Sequence, residues 1–378
     1  MSPDITADQQ LFRQTTREFL DRTTPISVIR ELGEAATGLD RAWWTRGAEL
    51  GWTAMLVPEA LGGGSVSGRP LTELALVAQE FGRTCAPGPL ITTSAVLAGL
   101  LTAGEAPTDR DTFAELIGAI VAGHTVAAWA LYEPGRGLDL SAPGTGVRED
   151  GGVLRVTGVK DRVEYGAEAD IFLVTAHGPD GPVQLLVPAD STGVTVTPVP
   201  SLDLVRHTAR VEFTDAVGTL AHRGPIAVAA TRTQLEVAAA LTAAESAGAA
   251  QRAFDATVAW MFDRYTFGRP LASYQALKHR MADNKTWLEA CHATATAAAA
   301  LWDDDRASAA EAIGVAKSYV GAKTPVIVQD CVQIHGGIGV TWEHDLHLFL
   351  RRVTVGRALY GTPADHRRRI AELLLTAA

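Results

Sequence analysis

Cysteine is scarce: Cys85, Cys291 and Cys331 are the three in 378 residues, far apart and without any CxxC spacing. So small, odd and dispersed a set offers neither a disulfide framework nor a zinc site, and it predicts reduced thiols in the core or on the surface. Basic charge is scarce as well. A net charge of -10 and a pI near 5.5 exclude the basic face that nonspecific nucleic-acid binding requires. The one basic run, Arg367-Arg368-Arg369, reads as a solvated helix face. No apolar stretch reaches the roughly 20 residues of a membrane span before Gly, Pro or charge interrupts it. The polar opening MSPDITADQQLFRQTTREFL lacks the charged-then-apolar layout of a secretion signal, so the expected compartment is the cytoplasm. A GxGxxG turn between strand and helix is absent too, and with it any support for a Rossmann-type nicotinamide site.

What remains is an ordinary globular composition, 47% hydrophobic and 20% charged, in a chain long enough for two or three domains. Periodicity divides it into three regions. Residues 1–123 read as helices, with apolar residues three and four apart over Gln9–Leu20, Arg41–Leu50 and Leu71–Gly82, broken by the loop at Gly62-Gly63-Gly64. Residues 124–224 carry the short runs VLRVTGVK, DIFLVTA, VQLLVPA, GVTVTPV and ARVEFTD, separated by Gly, Pro and Asp. That pattern predicts antiparallel strands in a compact sandwich or barrel. Residues 225–378 return to helix over Ile226–Trp260, Leu277–Trp302, Ala307–Gln333 and Pro363–Leu375, a four-helix bundle rich in Ala. The predicted fold class is therefore α+β and multidomain, helices flanking a β module. Trp43, Trp44 and Trp52 read as core packing.

Two segments carry chemistry. In Asp263-Arg264-Tyr265-Thr266-Phe267-Gly268-Arg269-Pro270-Leu271, an arginine and a Phe-Gly pair sit in a loop between helices. Its forked donors suit a pyrophosphate, although a helix-linking turn with a surface arginine explains it equally well in isolation. In Gln333-Ile334-His335-Gly336-Gly337-Ile338-Gly339-Val340-Thr341, a helix runs into glycines that let backbone amides approach a ligand closely.

Taken in order, RYTFGRP and QIHGGIGVTWE resemble the acyl-CoA dehydrogenase family, and other segments extend the likeness along nearly the whole chain. LGWTAMLVPEALGGG is similar to the family's helix-to-loop signature. Tyr132-Glu133-Pro134-Gly135-Arg136-Gly137-Leu138-Asp139 resembles its Thr-Glu-Pro-x-x-Gly-Ser-Asp element, and KDRVEYGAEAD the strand and turn that follow. The resemblance implies a homotetramer or dimer of dimers holding FAD between the β domain and the C-terminal bundle. It places Arg264 and Phe267 against the diphosphate and adenine side of a partner's FAD, and Gln275, Gln333 and Gly337 along the same cofactor. Trp129, Leu131 and Tyr132 would face the flavin ring, and Thr362 would approach it from the C-terminal loop. The implied reaction is α,β-desaturation of an acyl thioester, CoA-bound or carrier-bound, with electrons passing to an electron-transferring flavoprotein.

Against this pattern one class of residue is missing. The family keeps its catalytic Glu just before the Gly-Thr of the C-terminal loop, where this chain has Tyr360. The alternative position, early in the first long helix of the bundle, holds Ala238. A phenol with a reference pKa near 10 is a poor base at neutral pH. Glu245, seven positions after Ala238, is the candidate replacement, and a packed, hydrogen-bonded polar residue is the plainer account of it. Arg162 and Glu164 stand where a Trp and a Thr are usual, a pair expected to bond to each other or to mark a changed reaction. Three functions stay open: the base-lacking subunit of a heterotetramer with a paralogue, as in sterol side-chain degradation; an independent enzyme with an altered base; and a non-redox structural or regulatory member.

Overall fold

The computed structural model describes residues 5–35, 38–102, 113–138 and 144–377; Asp139, the last residue of the Glu-Pro motif, lies outside them. The N-terminal helices are α1 (Ala7–Thr23), α2 (Ile26–Ala35), α3 (Arg41–Glu49), α4 (Pro70–Thr84), α5 (Leu90–Leu100) and α6 (Ala114–Val121). α1 begins at a capping box: the Thr6 hydroxyl accepts from the Gln9 amide, and the Gln9 side chain accepts from Thr6 N–H. The tryptophans do form core. Trp52 meets Phe81 edge-on with ring centroids 4.9 Å apart, and its indole N–H is satisfied by Thr16 at 3.1 Å. Every residue of α5 is buried, as befits a helix with no polar face.

Seven strands follow: β1 (Ala127–Ala130), β2 (Gly146–Asp150), β3 (Val153–Glu164), β4 (Ile171–Gly178), β5 (Gly181–Pro188), β6 (Val194–Val199) and β7 (Thr208–Arg223). The five runs singled out from sequence are β3 to β7. β1 and β2 are too short, or too polar, to have stood out. The order β1-β4-β2-β3-β7-β5, with β4 also pairing β5, closes five strands into a barrel; β6 adds to β7. Pairing is antiparallel except along β4, which runs parallel to β1 and, at one residue pair, to β2. Val156, Phe172, Val174, Leu185, Val211 and Phe213 fill the interior.

Five helices complete the described chain: α7 (Gly224–Asp263), α8 (Gln275–Asp304), α9 (Arg306–His335), α10 (Leu346–Ala358) and α11 (Pro363–Ala377), with a small hairpin of β8 (Tyr265–Thr266) and β9 (Arg269–Pro270) after α7. α10 is the helix that sequence periodicity did not set apart. α7, 40 residues long, grows directly out of β7, and its middle is buried on all sides from Gln234 to Ala250. Its crossing with α4 is backbone on backbone. A Cβ at Gly82 would lie 1.9 Å from the Glu245 carbonyl oxygen, and one at Gly248 would lie 2.0 Å from that of Gln79. This contact fixes the height of α7 against the N-terminal helices and so delivers Ala238 and Glu245 to the middle of the molecule. The cysteines are all buried and free. Among the described residues no helix is long and apolar enough to cross a membrane.

Candidate active site and cofactor surface

The site is built around the turn between α10 and α11. Tyr360 and Gly361 both adopt positive φ, 54° and 98°, so two successive residues are left-handed. Such a turn persists only when its surroundings over-determine it. Here they do. Lys317, buried on α9, donates from Nζ to the carbonyls of Gly356 and Gly361, each at 2.9 Å. The His366 ring on α11 lies 2.9 Å from the Tyr360 carbonyl oxygen, the Tyr360 N–H donates to the Tyr132 hydroxyl, and Asp365 accepts from Thr362 N–H and Oγ1. Burial lowers the Lys317 pKa to about 7, and burial beside Lys317 lowers that of His366 to about 4.

Held this way, the Tyr360 phenol donates to Glu164 at the end of β3. Glu164 also faces the Arg206 guanidinium at 3.0 Å, and Arg206 continues to Glu245. The other oxygen of Glu245 accepts from Arg352 Nη1 at 2.8 Å; Arg352 also donates to Asp203 and to the carbonyls of Cys85 and Ala86. Three carboxylates, two guanidiniums and a phenol thus form one buried chain. Burial pushes the Tyr360 pKa well above that of an ordinary phenol, with Glu164 adding to the rise. Burial likewise raises Glu164, only partly opposed by Arg206. For Arg206, burial is outweighed by Glu245 and Glu164, which hold its charge in place. Behind this wall, between Phe81, Leu90, Ile91 and Glu245, the remaining space is about 10 Å³, enough for one water at most.

On the other side of Tyr360 a solvent-open cleft of about 680 Å³ runs between β4–β5, the first turns of α7 and α11, with Leu138, Thr231, Arg232, Leu235 and Arg369 in its walls. Ala238 is fully buried in α7. Glu245 is reached from both sides by arginines rather than opening onto the cleft.

The residues singled out as FAD-facing fall into two groups. Trp129, Leu131 and Tyr132 are 3%, 5% and 7% exposed, packed beside Tyr360. The Trp129 and Tyr360 rings are near parallel, 9° between planes, with centroids 6.1 Å apart. Arg264, Gln275, Gln333, Gly337 and Thr362 are exposed, and Phe267, at a φ of 53°, is 94% exposed at the tip of the β8–β9 hairpin. The two motifs meet at one end of the bundle: Arg264 lies over Trp260, whose ring stacks on His335 at 5.1 Å.

One expectation is overturned. Arg162 does not pair with Glu164. Two residues apart on a regular strand, they would share a face, but the β3–β7 register slips between Lys160 and Val163 and Arg162 has a φ of 50°. Arg162 is thereby turned outward, its guanidinium 4.5 Å above the Tyr132 ring and bonded to the Arg136 carbonyl oxygen at 2.9 Å. Glu164 finds Arg206 instead. Arg206, Asp203 and Lys317 went unnoticed in the sequence. The readable signal for Lys317 was a lone cation on an apolar stripe, between Ile313 and Val320, and for Arg352 its place among Leu348, Phe349 and Val353.

Residues 6–115 match the family described as "Acyl-CoA dehydrogenase, N-terminal domain", and residues 228–375 match "Acyl-CoA dehydrogenase, C-terminal domain". The chain belongs to the acyl-CoA dehydrogenase family. Among its relatives, acyl-CoA dehydrogenase IpdE2 of Mycobacterium tuberculosis is 32% identical over 96% of both chains. IpdE2 of Mycolicibacterium smegmatis is 29% identical over 97% of this chain and 98% of its own. Among solved structures, a variant of the Tcur3481–Tcur3483 steroid ACAD is 27% identical, covers 99% of each chain and superposes with a TM-score of 0.86. The ChsE4–ChsE5 complex from Mycobacterium tuberculosis shares the fold at 24% identity, 99% coverage of each chain and a TM-score of 0.85. Acyl-CoA dehydrogenases are flavoproteins of lipid and steroid metabolism, with FAD as their cofactor.

Proposed function

We propose that this chain is the base-lacking subunit of a mixed acyl-CoA dehydrogenase, in which a paralogous partner carries out FAD-dependent α,β-desaturation of an acyl thioester. The observation that carries this reading is the occupied base position. Where a carboxylate must meet the substrate α-proton, Tyr360 presents a protonated phenol that donates its hydrogen bond to Glu164. A base has to reach its proton within hydrogen-bond distance and be deprotonated when it does so. Tyr360 fails as that base, because burial and Glu164 hold it protonated. Glu245 and Glu164 are committed to arginines inside the same wall.

When bound, FAD supplies the hydride acceptor of the family's reaction. What this chain contributes to it is a surface: Arg264 for a diphosphate, Phe267 for an adenine face, and Gln275, Gln333 and Gly337 alongside. Arg264 is exposed, and a Cβ at Gly336 or Gly337 would meet nothing within 4 Å, so backbone amides there can be approached closely. A solved relative whose name joins two proteins, the Tcur3481–Tcur3483 steroid ACAD, supports the mixed assembly. In the full reading the complex is cytoplasmic, takes a CoA or carrier-protein thioester, and passes electrons to an electron-transferring flavoprotein.

Co-expression with candidate paralogous subunits, followed by an acyl-CoA assay with an artificial electron acceptor, tests the proposal. Activity is expected only from the mixture. The open cleft ending on Tyr360 favours one second reading, an independent enzyme with Glu245 or another group as base. Turnover by the isolated chain, abolished by Glu245→Gln, would establish that reading and end the first.

A further inference from the structure

We infer that a second cavity, between the N-terminal helices and the bundle, is a binding site for a small hydroxylated carboxylate. The cavity measures about 420 Å³, is walled by α1, α4, α7 and α8, and shares no wall residue with the cleft that ends on Tyr360. That volume falls in the range of small-molecule sites.

Its walls differ from a packing gap in carrying polar groups with bonds left to make. Gln79 on α4 is 7% exposed, yet its side-chain amide makes no hydrogen bond among the described residues. An amide so placed is unfavourable unless whatever fills the cavity pairs with it. The Thr296 hydroxyl on α8 is likewise unpaired. Gln251 on α7 orients two further groups. Its Nε2 donates to Asp255 Oδ1 at 2.7 Å, which leaves its Oε1 to accept from His292 Nε2 at 3.2 Å. His292 Nδ1 is then an acceptor, and so is the second Asp255 oxygen. Burial lowers the His292 pKa, with Glu289 opposing and Arg13 assisting, so the ring is neutral at pH 7.

Arg13 sets the charge of the ligand. Its Nε donates to Glu80 at 2.8 Å, but its two terminal nitrogens make no bond among the described residues. Glu80 is also paired with Arg17 and Arg83, and of the three only Arg83 has a second acid, Asp21. Arg13 and Arg17 thus have one carboxylate between them, and Arg13 belongs to the cavity wall. The unused edge of its guanidinium, two parallel N–H groups, matches the two oxygens of a carboxylate. Arg69, the other cation in the walls, is already held by two bonds to Asp304. Asp255 in the same walls would repel the second charge of a phosphate ester and accept from a hydroxyl instead. A monoanion uses all of these groups, with its carboxylate on Arg13 and its hydroxyls on Gln79, Thr296, His292 and Asp255.

Isothermal titration calorimetry of the purified full chain with gluconate, glucose and glucose 6-phosphate tests the inference. These probes are close in size and differ in charge. Gluconate is expected to bind one to one, about tenfold more tightly than either of the others, the effect of one charge-assisted contact. Arg13→Gln should remove that preference. Gln79→Leu should weaken gluconate about fivefold with the unfolding midpoint unchanged, since Gln79 gives up no internal bond, and it serves as the test if Arg13→Gln does not fold. Arg232→Gln, in the wall of the other cleft, should leave gluconate binding as it was. No heat with gluconate, or binding that Gln79→Leu leaves intact, would overturn the site. Glucose binding as well as gluconate, or glucose 6-phosphate binding better, would overturn the carboxylate assignment. None of these results depends on whether the chain turns over an acyl thioester, so the site and the base-lacking reading stand or fall separately.

Discussion

Tyr360 and its neighbours are held as a structural cluster: the phenol has an acceptor, Glu164, and Glu164 a cation, Arg206. Tyr360→Phe is therefore expected to reduce stability by about 1–3 kcal/mol, the consequence of leaving a buried acceptor without its donor, as measured by urea unfolding. Tyr360→Glu is expected to yield no dehydrogenase activity, because two buried carboxyls would face each other. Arg352→Met should be more damaging, about 3–5 kcal/mol, since Asp203 and Glu245 would keep their charges in the interior without it.

Lys317 gives a pH signature at the same scale. Its folded pKa of about 7 lies below the ordinary 10.5, so the unfolded chain binds this proton more tightly. Stability from this group is complete above about 10.5, is lost as pH falls towards about 7, and does not change further below that. Thermal unfolding of the wild type across this range, compared with Lys317→Met, should show the dependence in the first and not in the second. A parallel pair of curves would remove Lys317 from the account of the turn.

Among the elements, α7 does the most to place the site. Its contact with α4 at Gly82 and Gly248 leaves no room for a side chain on either helix. Gly248→Ala must push the helices apart and is expected to destabilise the fold by at least the roughly 1–3 kcal/mol of an overpacked core. Differential scanning calorimetry would detect this as a lowered midpoint, and an unchanged midpoint would mean the crossing relaxes freely. Most elements were legible because each announces itself locally: β3 to β7 by branched residues between turn formers, the long helices by Ala content and period, α1 by apolar residues three and four apart. α10 escaped because Arg351 and Arg352 interrupt its apolar face, and only one of them is solvent-directed. Arg352 is buried because three other segments bring it a carboxylate or a carbonyl.

For the whole molecule, the sequence determined the order of helical, β and helical regions and the acyl-CoA dehydrogenase family. These properties are carried by residue identity and short-range spacing, which a linear reading preserves. What tertiary structure alone decided is which charges meet. Glu164 joins Tyr360 across 196 residues, Arg352 joins Glu245 across 107, and Arg206 joins Glu245 across 39. Those separations close only when the barrel, α7 and the C-terminal turn dock together. One register slip in β3 then sends Arg162 outward and Glu164 inward, a choice of face that no local pattern encodes.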